Sequence, residues 1–163
     1  MLIRYYMLMC ALVLIAPAFL YASDCSHDSK TLRCVSFVRN YDGDTITVDI
    51  PNIHPLFGKN ISVRIRGIDT AEVKTKDKCE KRASRTARRL VEKLLKHAKR
   101  IDLLNIDRDK YFRISADVSV DGKLISEILI KNRLAVAYDG GHKAAVDWCT
   151  LTGSTENANT SPN

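Results

Sequence analysis

Apolar and polar residues alternate in several short segments of this chain, a pattern that is typical of half-buried β-strands. From Ile61 to Arg66 the odd-numbered positions are apolar and the even-numbered ones are polar, which predicts a strand over residues 61–68. Similar or weaker alternation predicts strands over residues 34–39, 45–50, 101–106 and 111–120. Asp42-Gly43 separates the first two of these, and this dipeptide is common in β-hairpin turns.

One long segment, residues 77–99, has the three- to four-residue apolar spacing of an amphipathic helix. Its apolar positions are Ala83, Ala87, Leu90, Val91, Leu94, Leu95 and Ala98. The opposite face carries Lys81, Arg82, Arg85, Arg88, Arg89, Lys93 and Lys96. A basic helix face can bind nucleic acid, but such a face is more often simply solvated, and we favour that second interpretation.

Five short strands with a helix between the third and the fourth predict an α+β fold that is mainly β. This order is typical of the OB fold, a five-stranded Greek-key barrel with packed helices. Phe112 falls on the apolar face of the strand predicted over residues 111–120, so we expect it to pack in the core. Residues 51–60 predict a loop, residues 124–131 a short helix, and residues 142–149 a last helical turn.

The two ends of the chain differ from its centre. Residues 1–22 combine Arg4, an apolar run and a small residue, Ala22, which is the pattern of a cleaved signal peptide. A membrane anchor is the alternative, but the apolar run is shorter than the roughly 20 residues that span a bilayer. We therefore expect a secreted or periplasmic protein with no stable membrane anchor after cleavage. Residues 150–163 are rich in Ser, Thr and Asn, which predicts a disordered tail after a folded domain at 23–149.

Charge and cysteine content agree with an exported protein that binds polyanions. The 163 residues carry a net charge of +7, which favours nucleic acid or other polyanions but also simply aids solubility. Cys25, Cys34, Cys79 and Cys149 remain after cleavage, and four cysteines on an exported chain indicate two disulfides. Three pairings are possible, and we favour Cys25 with Cys34 and Cys79 with Cys149.

Acidic and basic side chains cluster at the ends of the predicted strands. Asp44 and Asp69 each adjoin an apolar-alternating segment, and paired carboxylates suit Ca²⁺ or Mg²⁺. Glu72 follows three residues after Asp69, so that one carboxylate can hold metal while the other accepts a proton from water. Arg64 and Arg113 are candidate phosphate ligands, although arginines also commonly form ordinary salt bridges.

The combined order of motifs resembles the staphylococcal (micrococcal) nuclease family, also called thermonucleases. The motifs are Asp42-Gly43-Asp44-Thr45, Arg64 with Asp69-Thr70-x-Glu72, Asp109-Lys110-Tyr111-x-Arg113, and Asp121-Gly122-Lys123 with Glu127. The resemblance covers roughly residues 34–138. The resemblance implies an OB-type barrel and the hydrolysis of 5′ phosphodiester bonds in DNA or RNA, which gives 3′-phosphorylated products.

The resemblance also implies roles for particular residues. In that family Ca²⁺ is held by side chains at the positions of Asp44 and Asp69 and by the main-chain carbonyl at Thr70. Glu72 matches the residue assigned as general base for the attacking water. We expect a monomer that acts on nucleic acid with Ca²⁺ as its cofactor.

A second group of positions matches residues that contact the substrate. Arg64 and Arg113 match the two phosphate-binding arginines of the family. Lys110, Tyr111 and, after a one-residue gap, Tyr138 match residues that contact the nucleotide. Ala71 departs from the family pattern, which has proline there, and we expect this change to loosen the turn between Asp69 and Glu72.

Two other interpretations compete with the nuclease. A non-catalytic OB-fold module would bind nucleic acid through basic grooves and stacked aromatic rings. Members that only bind tend to lose the carboxylates, whereas this chain keeps three of them and both arginines. An exported protein that binds anionic surfaces would explain the charge but not the acidic cluster. The sequence leaves open the preference for DNA or RNA and the endonucleolytic or exonucleolytic mode.

Overall fold

A computed structural model of the chain describes residues 24–153, so the predicted signal peptide and most of the predicted tail lie outside the described residues. The elements are β1 (Ser36–Asn40), β2 (Thr45–Asp49), α1 (Pro55–Gly58), β3 (Ile61–Ile65), β4 (Ile68–Thr70), α2 (Lys78–Lys96), β5 (Ile101–Arg108), β6 (Ile114–Val120), β7 (Lys123–Leu124), α3 (Ile125–Lys131), β8 (Ala135–Ala137) and α4 (Trp148–Thr152).

Five of the strands form one mixed sheet in the order β1-β2-β3-β6-β5. β3 and β6 run parallel, while the other neighbours in this path are antiparallel. β7 pairs with β6, and β4 pairs with β8 in a separate two-stranded sheet. Because α2 lies between β3 and β5 in the chain, the predicted OB-like α+β fold is confirmed, with its helix between the third and fourth strands of the main sheet.

The core forms where the apolar faces of the sheet meet α2. Val48, Val63 and Ile65 of the sheet are fully buried, and so are Ala87 and Val91 of the helix. This burial stabilises the barrel because apolar surface leaves water on both sides of the contact. The β1–β2 turn lies against the same helix and is therefore part of the packed structure.

Gly43 shows how close the β1–β2 turn comes to α2. A Cβ atom at this position would lie 2.8 Å from Ala87 Cβ and 2.8 Å from Thr70 Cγ2, closer than van der Waals contact permits. Only glycine therefore lets the turn that carries Asp44 pack against both the helix and β4.

The strand predicted over residues 61–68 is two strands in the structure. Gly67 has a φ of +80°, in the left-handed region that favours glycine, and the chain turns there. After the turn, β4 leaves the main sheet and pairs with β8. The turn brings Asp69 back towards Arg64, which a continuous strand would have kept apart.

The prediction that Phe112 packs in the core is wrong. Its side chain is 80% exposed and its φ is +60°, because residues 109–113 form a turn and β6 begins only at Ile114. Alternation in the sequence continues through this turn, but the backbone does not remain extended. The loop predicted over residues 51–60 likewise contains the short helix α1.

The C-terminal helix lies later than predicted. Residues 142–147 have no regular secondary structure, and α4 begins only after Asp147, whose carboxylate caps it. The helix therefore continues through Thr152, beyond the domain end predicted at residue 149. Disulfides join Cys79 to Cys149, which attaches α4 to α2, and Cys25 to Cys34. Within residues 24–153, none of the helices combines the length and apolar character needed to cross a bilayer.

Candidate functional site

A cavity of about 600 Å³ opens beside the β1–β2 turn, between β3, β4 and the turn at residues 109–113. The loop that follows β8 forms another part of its wall. The lining includes every residue predicted to bind metal, act in catalysis or contact the nucleotide: Asp44, Arg64, Asp69, Thr70, Glu72, Lys110, Tyr111, Arg113 and Tyr138. The structure thus brings four sequence segments that are far apart in the chain to one cavity.

Asp44 is the most buried carboxylate of the cavity, at 6% exposure. Its Oδ2 accepts hydrogen bonds from the backbone N–H and the hydroxyl of Thr70, at 3.0 and 2.9 Å. Burial raises the pKa of the Asp44 carboxyl above its usual range, against the lowering effect of the Arg64 guanidinium. Asp42 shapes the turn itself, since its Oδ1 accepts from the backbone N–H groups of Asp44 and Thr45.

Arg64 joins the carboxylate of Asp44, in the β1–β2 turn, to that of Asp69, in β4. Its Nη1 lies 2.7 Å from Asp44 Oδ1, and its Nη2 lies 3.2 Å from Asp69 Oδ1. The same guanidinium donates to the backbone carbonyls of Asp44 and Ile68. Because its side chain is only 14% exposed, Arg64 is held from several sides within the wall of the cavity.

The carboxylate oxygens around Arg64 are suitable ligands for a hard divalent cation. Asp44 and Asp69 already converge on a single positive group, and oxygen is the ligand that Ca²⁺ and Mg²⁺ prefer. Across the part of the chain that the structure describes, no three His, Cys, Asp or Glu side chains gather into a closed metal cluster. A cation here would therefore complete its shell with backbone oxygen, water or substrate, which is common for these ions.

Glu72 lies at the rim of the cavity, where its side chain is 62% exposed. Its Oε1 lies 2.8 Å from Lys143 Nζ, and the same ammonium lies 2.9 Å from Asp69 Oδ1. Partial burial acts to lower the pKa of Lys143, but the bonds to Glu72 and Asp69 outweigh it and raise that pKa above its usual value. Lys143 thus links the candidate general base to a candidate metal ligand.

Sequence reasoning assigned no role to Lys143. It lies 71 residues after Glu72 in a segment without regular secondary structure, so no spacing or periodicity predicts the contact. The only signal available was its place between the glycines after Tyr138 and Cys149. That segment is held at both ends, by β8 and by the Cys79–Cys149 disulfide.

Arg113 lines the same cavity as the carboxylates and lies in a turn organised by Asp109. The Oδ1 of Asp109 accepts from the backbone N–H groups of Tyr111 and Arg113, and its Oδ2 accepts from Arg113 Nε at 2.7 Å. Burial acts to raise the pKa of the Asp109 carboxyl, but these bonds lower it overall. The terminal amino groups of Arg113 have no protein partner among residues 24–153, which leaves them available to a phosphate.

Aromatic and basic groups flank Arg113. Its guanidinium carbon lies 5.5 Å from the centre of the Tyr111 ring, and Lys110 Nζ lies 5.6 Å from the same ring. Tyr111 is 67% exposed, so its ring is open to a stacked base. Tyr138 also lines the cavity and donates its hydroxyl hydrogen to the carbonyl of Gly141 at 2.9 Å.

Comparison with known proteins gives consistent matches. Residues 62–158 match the family model described as staphylococcal nuclease homologue. Endonuclease YncB of Bacillus subtilis (strain 168) is 39% identical over 116 residues, which cover 69% of this chain and 52% of that protein. The SPbeta prophage-derived endonuclease YokF of the same organism is 37% identical over 113 residues, covering 67% of this chain and 36% of that protein.

The chain therefore spans about half the length of the first of these relatives and about a third of the second. The family model covers more than half of the chain, including β3, β4, the turn at residues 109–113 and the segment that carries Lys143. Together with the OB-like fold, this match shows that the chain belongs to the staphylococcal nuclease homologue family.

Proposed function

We propose that this protein is an exported, Ca²⁺-dependent nuclease that hydrolyses phosphodiester bonds in DNA or RNA and leaves 3′-phosphorylated products. The observation that carries this proposal is the convergence of Asp44, Asp69, Glu72 and Arg113 on one cavity. The names of the two Bacillus relatives, both endonucleases, support the same reaction class. The role of each side chain follows from its position.

Asp44 and Asp69 would hold the cation, together with the backbone carbonyl of Thr70. When bound there, a divalent cation would neutralise charge that builds on the phosphate oxygens. Glu72, exposed at the rim, would accept a proton from the attacking water. Arg113 lines the same cavity, and its amino groups form no hydrogen bond or ion pair within residues 24–153, so it would donate hydrogen bonds to the phosphate as negative charge develops there.

The walls of the cavity would position the nucleotide. Tyr111 offers an exposed ring for stacking, Lys110 adds a cation beside it, and Tyr138 contributes a second ring to the lining. Each of these contacts tolerates any base, because stacking and phosphate contacts carry little sequence information. We therefore propose cleavage with little sequence preference.

Two disulfides favour an oxidising compartment such as the periplasm or the extracellular medium, since such bonds rarely persist in the cytosol. This observation supports export through the N-terminal segment, which lies outside the described residues. Expression with residues 1–22 attached, followed by N-terminal sequencing of the recovered protein, tests the proposed cleavage after Ala22. Recovery of intact residues 1–22 on an exported protein would argue against it.

The decisive experiment measures hydrolysis by oxidised protein. Purified chain is incubated with single- and double-stranded DNA and with RNA, in Ca²⁺, in Mg²⁺ and in chelator. We expect degradation that requires Ca²⁺, and we expect Glu72→Gln to reduce it by about 10²- to 10⁴-fold while the fold is retained. Nucleic-acid binding with no hydrolysis in any metal would instead favour the alternative of a non-catalytic OB-fold module.

A further inference from the structure

The outward face of α2 carries six basic side chains in one line, which we call the basic stripe. Its members recur at three- and four-residue steps and all are exposed: Lys78, Lys81, Arg82, Arg85, Arg89 and Lys93. Most of them line a shallow groove along the helix. The buried face of the same helix lies on the other side, against the sheet and α4.

Nothing in the described residues neutralises the basic stripe. None of its members forms an ion pair with a carboxylate in residues 24–153, and the ion pair within α2 joins Lys96 to Glu92 instead. Within the stripe, Lys81 and Arg85, and again Arg85 and Arg89, are like charges four residues apart. Such pairs destabilise a helix, so the stripe lowers the stability of α2 without a compensating contact in the fold.

The basic stripe begins next to the carboxylates of the cavity. The backbone N–H of Glu72 donates to Glu80 Oε1 in the first turn of α2, at 3.2 Å. Further along the helix, the side-chain amide of Asn40 donates both to the carbonyl of Arg88 and to that of Asp42. The helix is therefore hydrogen-bonded to the cavity lining at Glu72 and, through the side chain of Asn40, at Asp42.

The link between Glu72 and α2 extends this positive surface. Lys74 and Lys76 are both exposed in it, and neither forms an ion pair with a carboxylate in the part of the chain described. Positive side chains thus continue from Lys74, two residues after the candidate base, to Lys93 in the last turn of α2. A strand that leaves the cavity on this side would meet cations along its whole path.

We propose that the basic stripe is a second contact surface for the nucleic-acid substrate, which binds backbone phosphates outside the cavity. This inference rests on the proposed function for the identity of the polyanion. From Lys78 to Lys93 the helix rises about 22 Å, which matches about six phosphates of one strand at roughly 3.4 Å each. Contacts of this kind hold the substrate without reading its sequence.

The test compares two variants with the same loss of charge. The stripe variant changes Lys81, Arg82, Arg85 and Arg89 to Gln, which forms helices well. The control variant changes Lys30, Lys123, Lys131 and Arg133 to Gln. These four are also exposed, form no ion pair with a carboxylate in residues 24–153, and do not line the cavity.

Binding is measured by fluorescence anisotropy in chelator and in the Glu72→Gln background, so that the probe is not cleaved during the measurement. The probes are a duplex of about 30 base pairs and a single strand of the same length, across a range of salt concentrations. Each lost phosphate contact lowers the slope of log affinity against log salt by about 0.9 for duplex and about 0.7 for single strands. We expect the stripe variant, which loses four contacts, to lose about 3.6 in duplex slope and the control variant to lose less than about 1.

Activity on long and short substrates gives a second comparison. With Glu72 intact, the stripe variant is expected to cleave a dinucleotide with the kcat/KM of the parent protein but to lose at least tenfold on the long duplex. Its Tm is expected to stay the same or to rise, because the like-charge pairs are removed. If four substitutions prevent folding, Arg85→Gln with Arg89→Gln gives the same comparison with an expected slope change of nearly 2.

The outcomes separate this inference from the proposed function. If the stripe variant shows the predicted loss of duplex slope but the parent protein never cleaves the duplex, the proposed nuclease is refuted and the role of the basic stripe is retained. Equal salt slopes in the stripe and control variants would refute the stripe and leave the nuclease intact. If the stripe variant lost binding to anionic phospholipid vesicles but bound the duplex as the parent protein does, the inference would also be overturned.

Discussion

The Cys79–Cys149 disulfide is expected to support the active site as well as the fold. It closes a separation of 70 residues and holds α4 beside α2. Trp148 of α4 is 7% exposed and packs against Ala71 and Ala83. Ala71 lies between Asp69, a candidate metal ligand, and Glu72, the candidate general base. We therefore expect the disulfide to stabilise this segment, because it holds Trp148 against Ala71.

Loop length sets the expected cost of removing each disulfide. For a separation of 70 residues, the loss of loop-closure entropy in the unfolded chain amounts to about 4.4 kcal/mol. For the separation of 9 residues between Cys25 and Cys34, the same relation gives about 2.6 kcal/mol. Replacing Cys79 and Cys149 by Ser should therefore reduce the free energy of unfolding by about 2 kcal/mol more than replacing Cys25 and Cys34.

The two double variants also separate global stability from local support. Urea unfolding followed by circular dichroism gives the free energy of each. Trp148 is the only tryptophan in the chain, so its fluorescence reports directly on the docking of α4. We expect the variant without Cys79–Cys149 to show red-shifted emission and reduced hydrolysis at a temperature where circular dichroism still shows folded protein. The variant without Cys25–Cys34 should keep both properties.

Two results would refute this reasoning. If both double variants lost the same free energy of unfolding, loop length would not determine the stabilisation. If the variant without Cys79–Cys149 kept the parent emission maximum and the parent rate, Trp148 would dock without the disulfide, and the turn at Ala71 would need no such support.

Three further predictions concern the cavity. Arg64→Ala should reduce the free energy of unfolding in urea by about 3–5 kcal/mol, since it leaves the Asp44 carboxylate buried without its ion-pair partner. Arg113→Ala should mainly lower kcat. Similar losses of stability in the two variants would contradict this. Lys143→Met should raise Ca²⁺ affinity in calorimetry by about 30-fold, since a unit charge about 4 Å from a divalent cation in water costs about 2 kcal/mol, and it should lower kcat by releasing Glu72. Lys143→Arg should change both quantities less. In metal-free protein the Asp44 carboxyl has a raised pKa, so it stays protonated to a higher pH in the folded state than in the unfolded state. The stability that this group contributes should therefore fall as pH rises from about 3.9 through the folded pKa. If the free energy of unfolding in urea changed with pH in the same way for the parent and for Asp44→Asn, this prediction would be contradicted.

Much of the site could be predicted from the sequence because each motif carries its own local organisation. Asp42 binds the backbone of the turn that presents Asp44, and Asp109 does the same for the turn that presents Arg113. Such contacts span at most a few residues, so they follow from local sequence. The alternating strands then required only the general fold to bring the turns to one cavity.

The prediction for Phe112 failed because one local signal overrode another. Phe112 continues an alternating series, but the carboxylate of Asp109 closes a turn there and leaves the phenyl ring in solvent. Ala71 was expected to loosen its turn because it replaces the proline of the family pattern. That expectation stays a prediction. In the structure Ala71 is 1% exposed and lies against Trp148, a contact between distant parts of the chain that the local sequence does not predict.

The two arginines that the resemblance assigns to one role have different environments, and the difference indicates a division of labour. Arg64 is 14% exposed and bridges Asp44 and Asp69, so its charge mainly holds two carboxylates together that would otherwise repel each other. Arg113 is 33% exposed and pairs through Nε only, with its amino groups open to the cavity. A phosphate that enters without a cation would find Arg113 available but Arg64 engaged. A divalent cation at the carboxylates would take over their charge and release Arg64 towards the same phosphate, so metal and substrate should each strengthen the binding of the other.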